Sequence, residues 1–229
     1  MADALAALAG TPDDDPGVEP LLETIAQLTV DRVGGLSYAS ITSMADAGYV
    51  TVAASSEVAR AIDAVQYQAQ DGPCVRALEQ QEPMAVPDVT TTMIWPDFAR
   101  VARRYGLNAT MSAPLYTGSG ACVAVLNMHG RELATMAPLI GGVWSIYRPQ
   151  QQIVLPGEQF GTLDAGGLEL LAGLTQALAV REVIQQAIHL VRACEGCTAR
   201  EAYLWLVQRA AASGANLAQT AARQLASGL

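Results

Sequence analysis

The chain has 229 residues, of which 51% are hydrophobic but only 5% aromatic, so any core must be built mainly from aliphatic side chains. Its 13 basic residues, all of them arginine, stand against 22 acidic ones, and the formal charge of −9 excludes a generally basic protein that coats nucleic acid. The absence of lysine excludes lysine-based chemistry, and the presence of only two histidines argues against a metal site or an acid–base enzyme.

The sequence shows no signal for secretion or membrane insertion, which predicts a cytoplasmic protein. A secretory signal begins with a positively charged region, but the first ten residues contain no Lys or Arg. No run of about 20 apolar residues occurs either. The four cysteines show no spacing typical of secreted disulfide frameworks. We therefore expect a chain that stays in the reducing cytoplasm and does not enter a membrane.

The first segment of the chain is expected to be a flexible leader. Residues 1–19 combine an Ala-rich start with an acidic stretch that is rich in Pro and Gly. Pro20 then suits the first turn of a helix, and apolar residues at helical spacing continue until a Gly-Gly pair at 34–35 stops them. This pattern predicts a first helix over about 20–33.

Two hairpins predict an antiparallel sheet in the next part of the chain. Alternating β-prone residues at 39–44 and 49–53 flank a turn, and a second such pair stands at 110–116 and 121–127 around a Gly-Ser-Gly turn. Helices are expected between these hairpins. Residues 131–162 contain several Gly and Pro breakers, and we interpret them as an insertion with one extra strand pair.

The C-terminal part is predicted to be entirely helical. From Asp164 onward no proline forms a break until the end of the chain, and a four–three apolar spacing predicts one long helix over about 165–194. Thr198 and Glu201 form a capping box for a second helix, and Asn216 suits the start of a third. The predicted α+β chain therefore divides into a leader (1–19), an antiparallel sheet domain flanked by helices (20–164) and a helical tail (165–229).

Several short motifs resemble the GAF domains of actinobacterial GAF–ANTAR regulators. They are, in chain order, Thr51-Val-Ala-Ala-Ser-Ser, Gln66-Tyr67, Asp71-Gly-Pro-Cys-Val-Arg-Ala-Leu78, Val86-Pro-Asp88 and Trp95-Pro-Asp-Phe98. The helical tail is similar to the ANTAR module at 181–187, 196–203 and 217–221. The resemblance implies a GAF sheet with flanking helices that often holds a small ligand, followed by a three-helix RNA-binding ANTAR domain.

For function, the resemblance implies a signal-responsive transcription antiterminator. ANTAR proteins act as dimers that hold a nascent transcript in a two-hairpin form, so that the overlapping terminator cannot fold. Such RNA loops present unstacked bases and closely spaced phosphates, which suit Arg and aromatic side chains on a rigid helical surface. We expect a regulator and not an enzyme, with an unidentified ligand in the GAF half and no identified cofactor.

The distribution of charge favours the helical tail as the RNA-binding part. Residues 181–229 hold five Arg against three acidic residues, a net charge of +2, whereas the other 180 residues hold eight against 19, a net charge of −11. The candidate phosphate or base contacts are Arg181, Arg192, Arg200, Arg209 and Arg223, with His189 and Tyr203 as candidate stacking residues.

At several positions the tail departs from the family pattern. Where the family commonly reads Gln-Ala-Lys-Gly, this chain has Gln186-Ala-Ile-His189, and Val207-Gln208 stands in place of a basic pair in the second helix. RNA affinity falls with each phosphate contact that is lost. The alternative is therefore a ligand-binding or protein-interaction module with a degenerate ANTAR tail that does not bind RNA.

The resemblance also implies residues near a ligand cavity in the GAF half, namely Tyr67, Pro73, Cys74, Trp95, Phe98 and Met111. Trp95 and Phe98 equally suit a hydrophobic core. Cys74 follows Gly-Pro at a helix N-terminus, where the macrodipole favours the thiolate, so a third hypothesis is a Cys-based redox sensor or reductase with Cys122 as the resolving thiol. The Cys194-Glu-Gly-Cys197 pair offers too few ligands for zinc, and no metal site is predicted.

The long helix of the tail carries an apolar stripe that could join two chains. Its members are Leu170, Leu174, Ala177, Ile184 and Ile188. At this spacing they could form a parallel helical seam, and a two-fold dimer would suit a paired RNA element. The alternative is that the same stripe packs within one chain against the sheet domain.

Overall fold

The computed structural model describes residues 1–155 and 161–227. In this part of the chain the strands are β1 Leu36–Ala45, β2 Gly48–Ala54, β3 Met84–Val86, β4 Ala109–Tyr116 and β5 Cys122–Gly130. The helices are α1 Ala2–Ala9, α2 Val18–Arg32, α3 Glu57–Ala69, α4 Pro73–Gln80, α5 Pro96–Arg104, α6 Leu133–Tyr147, α7 Ala165–Glu195, α8 Ala199–Ser213 and α9 Leu217–Ser227. Both predicted hairpins and the long tail helix are confirmed.

The strands form one antiparallel sheet in the order β2-β1-β5-β4-β3. β5 lies in the centre, where Asn127 is opposite Ser40 of β1 on one side and Ser112 of β4 on the other. Because successive side chains of a strand point to opposite faces, the neighbouring pair Ile41 and Leu126 faces the other way. The alternation gives the sheet one polar and one apolar face.

The apolar face is covered by α1, α2, α6 and the first half of α7. Ile41, Met111 and Leu126 of the strands share one buried cluster with Ile25 of α2 and Leu170 of α7. The helices approach each other closely, since a Cβ on Gly166 would lie only 1.8 Å from the carbonyl oxygen of Arg32. Only glycine at this position allows α7 to cross the end of α2.

The polar face of the sheet is covered by α3, α4 and α5. Around its margin lie apolar side chains, including Ile62 of α3, Phe98 of α5 and Leu107. Its centre is different, because Ser40, Thr42 and Asn127 are buried there beneath α3. This face is the one on which most of the candidate sensing residues lie.

The helical tail has a small core of its own. Ile184, Ile188 and Val191 of α7 pack with Leu206 of α8 and Leu217 of α9. The capping box predicted at the start of α8 is present: the Thr198 hydroxyl accepts from the Glu201 backbone N–H, and the Glu201 carboxylate accepts from the Thr198 N–H. Within the described ranges, every helix is too short or too polar to cross a membrane.

The expectation of a flexible leader over 1–19 does not agree with the structure. Residues 2–9 form α1, whose Leu5 and Leu8 are buried against α7 and the sheet domain. At Gly173 of α7 a Cβ would lie 2.7 Å from the Cα of Ala2, so the two helices are in direct backbone contact. The composition hid this role because the burial of α1 depends on a helix more than 150 residues away.

The extra strand pair expected within 131–162 is also corrected, because residues 133–147 form the helix α6. The helix includes Pro138 and two glycines, which suggested breaks, but Met136, Ile140 and Val143 are buried against the sheet. Gly142 permits close packing, since a Cβ there would lie 2.4 Å from Leu171. The last part of the proposed insertion, 156–160, lies outside the described residues.

Candidate sensing and RNA-contacting surfaces

A hydrogen-bonded group of polar side chains lies buried between the sheet and α3. We call it the polar cluster; its members are Ser40, Thr42, Thr51, Asp63, Tyr67 and Asn127. The Asp63 carboxyl group accepts from the Ser40 hydroxyl at 3.0 Å, from Thr51 at 2.9 Å and from the Asn127 amide at 3.3 Å. Since buried polar groups are costly unless paired, these internal bonds are what allow a carboxyl group to stay in the core.

Burial sets the protonation of the polar cluster. It raises the pKa of Asp63 from its ordinary 3.8 to about 7, and the hydrogen bonds from Ser40 and Thr51 oppose this rise only in part. Burial also raises the pKa of Tyr67, whose hydroxyl lies 2.8 Å from those of Thr42 and Thr51. Near neutral pH this carboxyl group therefore holds a proton far more often than an aspartic acid at the surface does.

Cys74 lies beside the polar cluster, in surroundings that disfavour its thiolate form. Its backbone N–H donates to the Gln66 side-chain oxygen at 2.9 Å, and its side chain is fully buried. Burial raises the pKa of Cys74 well above its usual value, so desolvation outweighs the helix macrodipole on which the redox hypothesis rests. Burial likewise raises the pKa of Cys122 to about 11. Neither thiol has the lowered pKa that a redox pair needs.

The other predicted ligand residues are divided among different environments. Pro73 is buried at the start of α4, and the Trp95 indole N–H donates to Asp71 at 3.0 Å, where it braces the turn before that helix. Phe98 belongs to the apolar margin of the polar face. Met111 lies on the opposite, apolar face of the sheet, because its register places it with Met128. The structure thus brings together Tyr67 and Cys74, but not Met111.

Sequence reasoning missed the polar cluster itself. Ser40, Thr42 and Asn127 fall at alternate positions of the predicted strands, on the side opposite Ile41 and Leu126. That alternation was readable as an ordinary half-exposed strand pattern. A second missed group is His129, which is wholly buried; Thr110 hydrogen-bonds to its Nδ1, and burial lowers its pKa to about 4.

The Arg181 side chain contacts the sheet domain. Its guanidinium group lies 4.3 Å from the centre of the Tyr116 ring and donates to the carbonyl oxygen of Gly120 at 3.3 Å. One helical turn later, the Gln185 amide donates to the Ser119 carbonyl at 2.6 Å. This side of α7 therefore grips the turn between β4 and β5, so Arg181 serves the contact between the two halves of the chain.

Two of the other arginines converge on one groove of the tail. Arg209 of α8 and Arg223 of α9 line a cavity of about 260 Å³ together with Thr220 and Gln224. The Arg209 guanidinium also lies 5.0 Å from the centre of the Trp205 ring. We call this cavity the α8–α9 groove. Trp205, which the sequence analysis did not select, contacts Arg209 but does not line the groove.

The remaining candidates do not share that groove. His189, Arg192 and Arg200 are exposed near the turn that joins α7 to α8. Tyr203 is half-buried, and its hydroxyl accepts the backbone N–H of Asp13 at 3.0 Å. In the described residues, none of the five tail arginines forms an ion pair with a carboxylate. Their guanidinium groups are thus distributed over more than one surface, and of the five only Arg209 and Arg223 line the same groove.

Comparison with known families agrees with this division into two halves. The family model of the GAF domain matches residues 17–145, and that of the ANTAR domain matches residues 172–223. The chain belongs to the GAF–ANTAR family. Both domains are regulatory rather than catalytic, and at the family level their combination supports a sensor-regulated, RNA-binding antitermination regulator.

Similarity to individual proteins is weak. No curated protein matches the sequence. Among solved structures, the GAF domain region of a putative membrane protein from Geobacter sulfurreducens PCA is 14% identical, with a TM-score of 0.43, over 71% of this chain and 93% of that one. A domain of a putative two-component sensor histidine kinase from Sinorhizobium meliloti 1021 is 15% identical, with a TM-score of 0.40, over 76% and 93%. The reduced form of fRMsr of Staphylococcus aureus is 10% identical, with a TM-score of 0.42, over 76% and 92%.

The apolar stripe of α7 is used inside this GAF–ANTAR chain. Leu170 and Leu174 are buried in the core of the GAF domain, and Ala177 packs against the same core. Ile184 and Ile188 are buried in the core of the ANTAR domain. The structure therefore has the arrangement in which the stripe packs within one chain, and four of its five side chains, all but Ala177, are fully buried there.

Proposed function

We propose that this GAF–ANTAR protein is a signal-responsive antitermination regulator whose ANTAR domain contacts hairpin RNA through the α8–α9 groove. The observation that carries the proposal is the convergence of Arg209 and Arg223 beside Trp205. Guanidinium groups bind phosphates in a fixed geometry, and an aromatic ring offers a stacking surface to an unpaired base. The groove supplies the two guanidinium groups, and the Trp205 ring lies beside one of them. Both belong to the segment 181–229, which has a net charge of +2.

The number of phosphate contacts available in the groove limits the affinity. Two arginines release about two counterions, so the slope of log affinity against log salt should be close to −2, at about 0.9 per contact. The strongly acidic GAF domain opposes RNA at longer range. We therefore expect micromolar binding that weakens only about tenfold between 50 and 200 mM salt.

The experiment is a titration of a labelled synthetic RNA with two adjacent stem-loops, at about 50 and 200 mM salt. Arg209→Gln and Arg223→Gln should each weaken binding and reduce the salt slope by about one. Arg100→Gln is the matched control: it removes the same charge from the exposed surface of α5, where Arg100 pairs with Asp97. Absence of binding at micromolar wild-type protein and the lower salt would favour the alternative module with a degenerate tail.

For the sensing half, we propose that the polar cluster recognises a small polar molecule. Its hydroxyl, amide and carboxyl groups offer both donors and acceptors within a few ångströms of one another. In this structure they bond to each other, so a ligand would exchange those bonds for its own. Native mass spectrometry of the full chain, purified from its host, should detect a bound mass that Thr42→Val reduces. A ligand retained equally by that variant would count against this site.

Dimerisation, which the family resemblance implies, would need a surface other than the α7 stripe. Light scattering over a range of protein concentrations tests it directly. A strict monomer in the presence of the two-hairpin RNA would contradict the expectation that two chains together bind the paired RNA element.

A further inference from the structure

The segment between α1 and α2, residues 10–17, bridges the two domains. The carbonyl oxygen of Thr11 accepts the N–H of Gly118 at 2.8 Å. The Asp13 carboxylate accepts from the Thr117 hydroxyl at 2.8 Å and from the Ser119 N–H at 3.1 Å. On the other side, the Asp13 N–H donates to the hydroxyl of Tyr203 in α8. One residue therefore joins the β4–β5 turn of the GAF domain to the ANTAR domain.

The packing at this junction is tight. A Cβ on Gly118 would lie 2.5 Å from a methyl group of Leu217, the first residue of α9, and 3.0 Å from the carbonyl oxygen of Thr11. The GAF turn, the bridging segment and α9 thus meet at a single glycine. A small displacement of the segment must change how α9 sits against the GAF domain, because backbone and core atoms fill the space.

The bridging segment also covers part of α8. Together with Tyr203, Leu204 and Val207 it encloses a cleft of about 660 Å³. Asp14 and Asp15 lie on the segment's side of this cleft.

We propose that residues 10–17 are an autoinhibitory latch, which holds α8 and α9 against the GAF turn and so keeps the α8–α9 groove close to the acidic GAF domain, whose charge opposes RNA. That the latch acts against RNA rests on the function proposed above. α1 anchors the latch, since Leu5 and Leu8 are buried in the core between α7 and the sheet. Arg181 and Gln185 of α7 donate hydrogen bonds to carbonyl groups of the same turn. A displacement of that turn would therefore alter the contacts of both the latch and α7.

The test compares Asp13→Ala with Asp14→Ala. Both remove one negative charge from the same segment, but in the described residues only the Asp13 carboxylate accepts hydrogen bonds from the GAF turn. Hydrogen exchange of the full chain should be about tenfold faster for Asp13→Ala in α8, in α9 and in the 117–120 turn, the order expected when charge-assisted bonds are lost. Exchange in the centre of β5 should stay unchanged, which shows that the fold is intact. Thr117→Val removes one donor from the same contact and should have a smaller effect in the same direction.

Equal exchange in Asp13→Ala and Asp14→Ala overturns the latch. The two-hairpin RNA supplies the second measurement: Asp13→Ala should bind it several-fold more tightly than Asp14→Ala, and equal affinity overturns the autoinhibitory role. If wild type and both variants bind no RNA at low salt, the proposed function fails, and hydrogen exchange alone then decides whether the latch exists.

Discussion

The buried carboxyl group of Asp63 makes the stability of the GAF domain depend on pH. In the folded chain the pKa of Asp63 is raised to about 7, whereas in the unfolded chain the carboxyl group has its ordinary pKa of 3.8. The folded state therefore keeps a proton that the unfolded state loses. The stability that this group contributes is fully present below pH 3.8 and is lost as the pH rises through about 7.

The size of the effect follows from the interval between the two pKa values. At about 1.4 kcal/mol per pH unit, the interval corresponds to a loss of about 4 kcal/mol between pH 4 and pH 8. Asp63→Asn removes the titration and keeps the shape of the protonated side chain. Relative to wild type, the variant should therefore gain about 4 kcal/mol of unfolding free energy over this range.

A difference between two proteins is needed because another buried group acts in the opposite direction. The pKa of His129 is lowered by burial from 6.5 to about 4, so its contribution is present above pH 6.5 and is lost as the pH falls through about 4. Between pH 4 and pH 6.5 the two trends largely cancel in the wild-type protein. Subtracting the unfolding free energy of wild type from that of Asp63→Asn at each pH removes the His129 contribution and leaves only that of Asp63.

The assay is urea unfolding at five pH values between 4 and 8, with tryptophan fluorescence as the readout. Asp46→Asn, at the exposed turn between β1 and β2, is the matched control, since it makes the same chemical change at the surface. The difference in unfolding free energy between Asp46→Asn and wild type should stay within about 0.5 kcal/mol over the five pH values. A difference between Asp63→Asn and wild type that is the same at every pH would refute the reasoning, because it would mean that Asp63 does not titrate in this range.

Other structural features give further predictions. Gly166→Ala should destabilise the chain by about 3 kcal/mol in urea unfolding, because the new Cβ would meet the Arg32 carbonyl oxygen. The control is Gly10→Ala, whose Cβ would have its nearest contact at 3.6 Å and which should change the stability by less than about 0.5 kcal/mol. Similar losses for both variants would contradict the close crossing of α2 and α7. Thr198→Ala should cost about 1 kcal/mol and accelerate hydrogen exchange in the first turn of α8, and unchanged exchange there would show that the capping box is dispensable. With iodoacetamide at pH 8 and no denaturant, the exposed Cys194 should be alkylated quickly and the buried Cys74 only after unfolding, as peptide mass spectrometry would show; rapid alkylation of Cys74 would revive the redox hypothesis.

Local patterns in the sequence were sufficient where neighbouring residues decide the structure. The two hairpins follow from alternating β-prone residues around turn residues, and the end of α7 and start of α8 follow from Gly196 and the Thr198–Glu201 capping box. The motifs that resemble GAF and ANTAR domains are also local, and the family comparison agrees with them. Each of these features depends on atoms a few residues apart.

Long-range contacts decided the rest. An apolar stripe on α7 has the same spacing whether it meets a second chain or its own GAF and ANTAR cores, so only the packed structure shows that Leu170 and Ile184 are buried in one chain. In the same way, Arg181 and Arg209 are alike in the sequence, but one stacks on Tyr116 of the GAF domain and the other lines the α8–α9 groove. The partners of Asp13 and Asp63 lie on other elements of the fold, and burial, which sets their hydrogen bonds and the protonation of Asp63, exists only after the chain has folded.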